Sequence, residues 1–546
     1  MKQNKVVFVA DFYNDDIIGG AELYTDALFE ELKSSCEITK IRSSEININF
    51  LQKNEKSLFF ISNFMLLSED CKTFIRDKIK YFIIEHDHKY IKNNNPVHYE
   101  KCLAPPGELQ NLEFYKKAAA VFCQSKLHCD TIYKNTLLKN LVNLGGNLWK
   151  QEHISILSKN IDKPKFPLCA VLASSNKNKG MRKAIQYCEN TSQKYKLISS
   201  PDYEEFIQTL ASFKKFVFLP TWIESYSRIA VEAKIVGCEV ITNRRLGCAS
   251  EGILSLDGQD LLDRIIKDKE RIISIFKQLI LSNTTPIFYK NNLPRVSIMT
   301  TFINGEEYIE GWLDSCAKQT IFNDVDIFIY DAGSSGEEKN IIEKFMKKHD
   351  NVFYTRDNSK ISASEAFNIM MKSSPNEYMS IVSLDDRLSE DYAETLRKYL
   401  FFSETDLVYG DCLQTTEPNE TFENNSSAGD KYSHSLEDFS PENMIKCLPG
   451  PIPMFKKTTM IENGGFNIKL RHANDWEMWL RCVRSGSKFF KVKKPVGLYY
   501  FSPTGVTTSK ENEASKRKEE KKIFYEFKDV IGEKNFKIYK NYFDEY

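Results

Sequence analysis

Three acidic stretches carry side chains able to do chemistry. In FVFLPTWIESYSRIAVEAKIVGCEVITN, residues 216–243, Glu224 and Glu232 stand eight positions apart. SIVSLDDRLSEDY sets Asp385 beside Asp386, and HANDWEMWLR holds Asp475 and Glu477 among tryptophans. On a single helix Glu224 and Glu232 would lie about 12 Å apart along the axis and about 80° apart around it, so they could not share a proton or a metal. Glu224 in the loop after the FVFLP strand, with Glu232 in the second turn of the next helix, is the useful arrangement. Backbone N–H groups of residues 225–228 then face an anion, with a hydrogen-bond acceptor on either side. A nucleoside diphosphate sugar has that layout: hydroxylated sugar, diphosphate, ribose.

The elements that must position these residues follow from the pattern of the chain. Short β-branched runs alternate with helical patterns almost throughout, which predicts α/β layers with mostly parallel sheets. At 546 residues the chain exceeds what one core organises, and several domains are expected. A strand at VVFVA, a loop through IIGGAE and a helix at LYTDALFEELKSS open the first half of a nucleotide-type fold. A second half starts at PLCAVLASS. The predicted division is residues 1–285, with halves of approximately 1–165 and 166–285, a linker at 286–293, a second domain at 294–510 and a helical tail at 511–546. PNETFENNSSAGDKYSH, residues 418–434, reads as a surface loop or a lid that orders on substrate.

Composition excludes several classes. Lys+Arg and Asp+Glu balance at 75 each, leaving no basic excess for a nucleic-acid partner. The thirteen cysteines are scattered and never form CxxC, which argues for reduced thiols and against a disulfide framework or a zinc site. No run approaches the roughly 20 apolar residues of a bilayer helix, and MKQNKVVFVADF lacks a signal-peptide core. A cytoplasmic protein is expected, with membrane contact at most peripheral, at the inner face. The tail from Lys510 is the candidate for it, since Ile523, Phe524, Phe527, Ile531, Phe536 and Tyr539 interleave with lysines. The same pattern suits an amphipathic helix packed on its own domain.

The N-terminal motifs resemble the retaining GT-B glycosyltransferases of family 4. Pro220, Glu224, Glu232, Ala233, Gly237, Val240 and Ile241 are in step with the P-x-x-x-E-x7-E-A-x-x-x-G-x-x-V-I donor signature. IIGGAELYTDAL resembles the family's glycine-rich loop, whose Gly19 and Gly20 would let backbone approach the donor phosphates. The resemblance implies that Glu224 holds the donor sugar, Glu232 the ribose and Lys179 the diphosphate, with no metal. LASSNK stands where an arginine is expected, leaving Lys177 or Arg228 to supply the second charge. His86 and His88 of EHDHKY, following a strand, are expected to face the acceptor. Two histidines with no third ligand nearby make a poor metal site.

The C-terminal motifs RVSIMTTF, IYDAGSSG, SEAFN, SLDDRL, VYGD, GGFN and NDWEMWLR come in an order that resembles, over residues 294–505, the inverting GT-A glycosyltransferases of family 2. Thr301 and Asp331 would then line the nucleotide base. A diphosphate leaving group gathers charge that a divalent ion on carboxylates stabilises, so Mg2+ or Mn2+ is implied. The usual D-x-D is here Ser383-Leu384-Asp385, making Asp385 the main metal ligand, with Asp386 at the donor. Asp475 is expected to be the general base. If NDWEMWLR is helical, Asp475 and Trp479 share a face while Glu477 points about 200° away. Trp476 and Glu477 continue the motif and are expected on the acceptor side.

The resemblances together imply a bifunctional transferase using UDP-, GDP- or dTDP-sugars, with a glycan or lipid-linked glycan as acceptor. Two alternatives stand beside it. Only the C-terminal site is active and the N-terminal unit holds acceptor, or both folds are inactive and the chain is a glycan-binding scaffold.

Overall fold

The computed structural model describes residues 5–16, 19–282, 284–290, 292–427 and 437–545. Residues 428–434 of the expected surface loop, and Ile17 and Ile18 of the glycine-rich loop, lie outside that set. The chain forms two compact units. One comprises Met1–Ala104 and Glu108–Asn291, the other Pro105–Gly107 and Asn292–Tyr546.

The first unit is built on two parallel sheets. One runs in the spatial order Glu37–Arg42, Lys5–Ala10, Leu58–Ile61, Tyr81–Ile84, Val121–Cys123, Leu141–Asn143. The other has the order Glu239–Ile241, Phe213–Val217, Phe166–Leu172, Tyr195–Ile198. Central strands covered by helices on both faces need continuous apolar runs, and KVVFVA and YFII are such runs, buried from Val6 to Ala10 and from Tyr81 to Ile84. In each sheet the first strand has its successors on both sides. That order reversal creates a crevice at the carboxyl ends of the strands, where ligands of open α/β sheets bind.

A clean division at residue 165 does not occur. The helix Gln151–Ser158 packs Ile154 and Leu157, with Trp149, into the core of the second sheet. The helix Gly258–Ser282 begins in that core with Leu261, Leu262 and Ile265, then delivers Ile272, Phe276, Leu279 and Ile280 to the first. At 25 residues it spans roughly 37 Å, long enough to serve both layers. The stretch expected to be a linker is in part bound as well. The Tyr289 N–H donates to the Leu141 carbonyl at 2.7 Å, and its hydroxyl reaches Asp130.

The second unit holds one mixed sheet. Its spatial order is Val352–Arg356, Val325–Asp331, Val296–Phe302, Tyr378–Ile381, Met454–Lys456, Leu407–Thr415, Phe489–Tyr500, Arg387–Leu388. The first four strands are parallel, and Met454–Lys456 pairs antiparallel on both sides. The tail forms the helices Glu513–Glu526, Lys528–Ile531 and Glu533–Asp544. Its apolar residues Ile523, Phe524, Phe527, Ile531 and Phe536 are buried in one cluster with Trp476 and Trp479. Those residues pack into the unit's own core, while Tyr525, Ile538, Tyr539 and Tyr542 remain exposed. Among the described residues no helix is long and apolar enough to cross a membrane.

Candidate functional site

In the first unit a cavity of about 450 Å³ opens at the carboxyl ends of both sheets. Gly19, Gly20, His86, Lys179, Glu224 and Glu232 all line it, together with Arg228. Glu224 sits in the loop after Phe213–Val217, where its backbone N–H donates to the Arg245 carbonyl and its own carbonyl accepts from Gly247, both at 2.9 Å. Both Glu224 oxygens accept from Lys179 Nζ at 3.0 Å. Two glycines make this approach possible. A Cβ on Gly247 would lie 2.1 Å from the Ser225 carbonyl oxygen, and one on Gly180, whose φ is +69°, would lie 1.8 Å from that of Leu219.

Glu232 falls in the second turn of the helix Arg228–Ile235 and is nearly buried. Trp149 Nε1 donates to its Oε1 at 2.9 Å, the Tyr203 hydroxyl does so at 3.1 Å, and Arg228 Nε lies 3.6 Å away. All of these contacts fall on Oε1. Arg228 is buried over the Trp149 ring, and its Nη2 has no partner.

The two histidines part company. Asp87 N–H bonds Glu85 Oε1 at 3.0 Å and bends the segment, so residues 86 and 88 cannot share a face as they would in an extended strand. His86 lines the cavity, its Nδ1 accepting from the Gln124 amide at 2.7 Å and its Nε2 without a partner. Burial, with lesser effects of the Lys89 and His128 charges, pushes its pKa well below the usual value, so it stands neutral. His88 does not line the cavity. It is a core residue against Tyr90 and His128, which corrects its expected acceptor role.

Beneath them lies a pair the motif reading missed. Lys89 Nζ sits 2.7 Å from Glu85 Oε1, both side chains buried, with Asn63 accepting from the lysine and Tyr115 donating to Glu85. The two residues stand four apart in EHDHK but in a loop, where helical spacing gives no signal.

In the second unit, Phe302 pairs with Asp331 across adjacent strand ends, which places Thr301 beside Tyr330. Asp331 is buried and engaged: Oδ1 accepts from the N–H groups of Gly333 at 3.1 Å and Ser334 at 2.7 Å, and Oδ2 from the Tyr354 hydroxyl at 2.9 Å. Burial works against its charge, but the Ser334 and Tyr354 bonds and the Arg356 charge outweigh it and hold the pKa below the usual range. Asp331 therefore builds the turn at the end of its strand, beside the strand end that carries Thr301.

Asp385 and Asp386 occupy the loop before the short strand Arg387–Leu388. Asp386 is 1% exposed; its Oδ1 accepts from the Tyr500 N–H at 3.2 Å, and its Oδ2 has no partner. Burial and then the Asp385 charge push its pKa well up, and burial also raises that of Asp385. Two adjacent carboxylates driven toward protonation, one with an orphaned buried oxygen, fit a divalent cation. Among the described residues no group of three His, Cys, Asp or Glu forms a ligand set. A cation taking one or two carboxylates and completing its shell from phosphate and water matches Mg2+ chemistry.

Asp475 lies in the first turn of the helix Asn474–Arg484. Its Oδ1 accepts from the Trp476 N–H at 2.7 Å, and the Cys447 thiol donates to Oδ2 at 3.3 Å. Burial raises its pKa, more than the Trp476 and Cys447 bonds lower it. The expected acceptor side chains turn inward. Trp476 donates to the Met444 carbonyl at 2.8 Å and stacks on Phe543, and Glu477 is buried in a two-pronged pair with Arg481, both contacts 2.9 Å. Both lie on the side of the helix that covers the core, which corrects their assignment.

Tyr499 directly precedes Tyr500, whose N–H bonds Asp386. Burial, reinforced by the charges of Asp386, Asp385 and Asp475, pushes the Tyr499 phenol up to about 12.

Residues 297–462 match the family model described as glycosyl transferase family 2. The match holds Thr301, Asp331, Asp385 and Asp386, and Asp475 lies beyond its end. The second unit thus carries a domain of this family, with its GT-A-like fold. The chain is 24% identical over 209 residues to the GalNAc(5)-diNAcBac-PP-undecaprenol beta-1,3-glucosyltransferase of Campylobacter jejuni, covering 38% of this chain and 65% of that protein. It is 26% identical over 127 residues to the glycosyltransferase GlyG of Streptococcus pneumoniae, covering 23% and 42%. Less than two thirds of either relative is spanned. Staphylococcus aureus TarS 1–349 in complex with UDP-GlcNAc gives a TM-score of 0.36 at 15% identity, over 44% of this chain and 71% of that one.

The buried pair under the first cavity has a measurable consequence. Lys89→Met leaves the Glu85 carboxylate uncompensated in the core, and the first unit is expected to lose about 3–5 kcal/mol in denaturant unfolding.

Proposed function

We propose that the chain is a nucleotide-sugar-dependent glycosyltransferase with an inverting site in the second unit and a retaining site in the first, working on a surface glycan or its precursor. The observation that carries the inverting site is Asp386, buried beside Asp385 with an Oδ2 that has no partner, within the family 2 domain. An acceptor hydroxyl oxygen attacks the sugar's anomeric carbon as the bond to the diphosphate breaks, and Asp475 takes the hydroxyl proton. Asp385 and Asp386 would hold a divalent cation, Mg2+ or Mn2+, that supplies positive charge to the departing diphosphate. Cys447 keeps one Asp475 oxygen oriented. The family domain supports this reading, and the name of the Campylobacter relative supports a lipid-linked glycan as acceptor. Work at the inner face of a membrane would follow.

For the retaining site, the family 4-like cavity supplies Gly19 and Gly20 at the start of the helix Gly20–Leu32, the Lys179 and Arg228 charges, and Glu232 for the ribose. Backbone dipoles and two cations serve a diphosphate without a metal. Two observations favour the second reading, in which this unit only binds. Lys179 and Glu224 neutralise each other, and Ser174 and Ser175 stand where the resemblance calls for an arginine.

Asp475→Asn should keep the fold and UDP affinity while lowering C-terminal transfer by about 100-fold, read as nucleotide release across a panel of nucleotide sugars. Near-normal release would sink the base assignment. Because burial raises the Asp475 pKa and the base must be ionised, the rate should fall on acidification with an acid limb above the ordinary aspartate range. Cys447→Ala removes a donor to the carboxylate and moves that limb further up in a pH–kcat profile. Chelation by EDTA should stop C-terminal transfer, and Asp386→Asn should weaken Mn2+ binding measured by calorimetry.

A further inference from the structure

We infer that the C-terminal helix Glu513–Glu526 is part of the inverting site and that Glu519 is its positioning residue, an inference that rests on Asp475 acting as the base. The helix bearing Asp475 begins without a side-chain cap at Ala473. The N–H groups that precede it nevertheless have a partner outside the helix. Glu519 Oε1 accepts from the Arg471 N–H at 3.0 Å, and Oε2 accepts from those of His472 at 2.8 Å and Ala473 at 3.2 Å. One carboxylate thus gathers three consecutive backbone donors at the positive end of an 11-residue helix, where a negative charge is most stabilising.

Further bonds fix the same turn. His472 Nε2 meets the Ser515 hydroxyl at 2.9 Å, one helical turn before Glu519. Asn474 donates to the Ser364 hydroxyl at 2.6 Å, and the Lys516 charge favours the ionised form of Asp475. Among the described residues Asp475 bonds only its own N-terminal turn and Cys447, so its direction follows the tilt of that turn. Glu519 sets the tilt. This assigns the tail a role that neither a membrane anchor nor simple core packing would give it.

Glu519→Ala, Glu519→Gln and, as a control on an exposed position, Lys518→Ala are made in the full chain. Nucleotide release from UDP-GlcNAc and GDP-mannose with Mn2+ gives kcat, calorimetry with UDP gives donor-site affinity, and 5-fluorotryptophan labelling reports Trp476 and Trp479 by 19F NMR. Glu519→Ala should lower kcat at least ten-fold, leave UDP affinity within two-fold and shift the Trp476 resonance. Glu519→Gln, whose amide oxygen still accepts, should recover part of kcat, and Lys518→Ala should change nothing. A folded Glu519→Ala protein with wild-type kcat and an unmoved Trp476 signal overturns the inference. So does a loss of kcat matched by an equal loss of UDP affinity, which marks general damage. If the wild type releases no nucleotide and binds no UDP, the transferase reading fails, and the Trp476 signal in Glu519→Ala still decides whether Glu519 holds the turn.

Discussion

Taking a carboxylate out of water is costly unless a cation or several hydrogen-bond donors come with it, and both units are organised by how they meet that requirement. The first unit meets it internally. Glu85 has Lys89 and Tyr115, Glu224 has Lys179, and Glu232 has Arg228, Trp149 and Tyr203. The second unit does so only in part. Asp331 is satisfied by its turn and by Tyr354, whereas Asp386 keeps an oxygen with no partner, and Asp385, Asp386 and Asp475 are all held toward the protonated state by burial. A site whose acids lack compensation is one that gains most when a cation and a substrate hydroxyl arrive.

Strand order explains why the acids of each unit lie where they do. In a parallel sheet the loops leaving the carboxyl ends converge, and a reversal of strand order opens a gap between them. In the first unit that gap receives Gly19 from one sheet and Lys179 and Glu224 from the other, so two layers contribute to one cavity. The crossing helix Gly258–Ser282 belongs to the cores of both layers and holds them in register. The close packing of backbone at Gly180 and Gly247 is the local expression of the same convergence.

Much of this was legible in the amino-acid sequence, because the strand and helix patterns are strong and the loop acids fall at the ends of apolar runs. Glu224 after FVFLP and Glu232 in the following helix are of this kind. What escaped was direction within a motif. Trp476 and Glu477 carry the right residue types, yet helical geometry turns them toward the core, where Glu477 meets Arg481 one turn later. His88 failed for a related reason, since the bend held by Glu85 breaks the two-residue period that made it look equivalent to His86. Long-range partners left no local trace at all. Cys447 lies 28 residues from Asp475 and Glu519 lies 46 residues from Ala473, distances over which no spacing rule operates.

The tail shows how stability and chemistry become one problem in the second unit. Phe536 and Phe543 each stack on Phe524, and Phe543 continues the stack onto Trp476, the residue directly after Asp475. Trp479, one turn further along, packs with Phe455, Phe466 and Phe489 from the body of the unit. The helix that presents the acid is therefore clamped between tail and sheet, with its N-terminal turn tied down by Glu519. Close-packed interiors transmit small volume changes, so a cavity made at Phe524 would be felt at Trp476 and not only in the free energy of unfolding. The physical role of the tail is to hold one buried carboxylate in one orientation, a task for which apolar stacking supplies the rigidity and the Glu519 hydrogen bonds supply the direction.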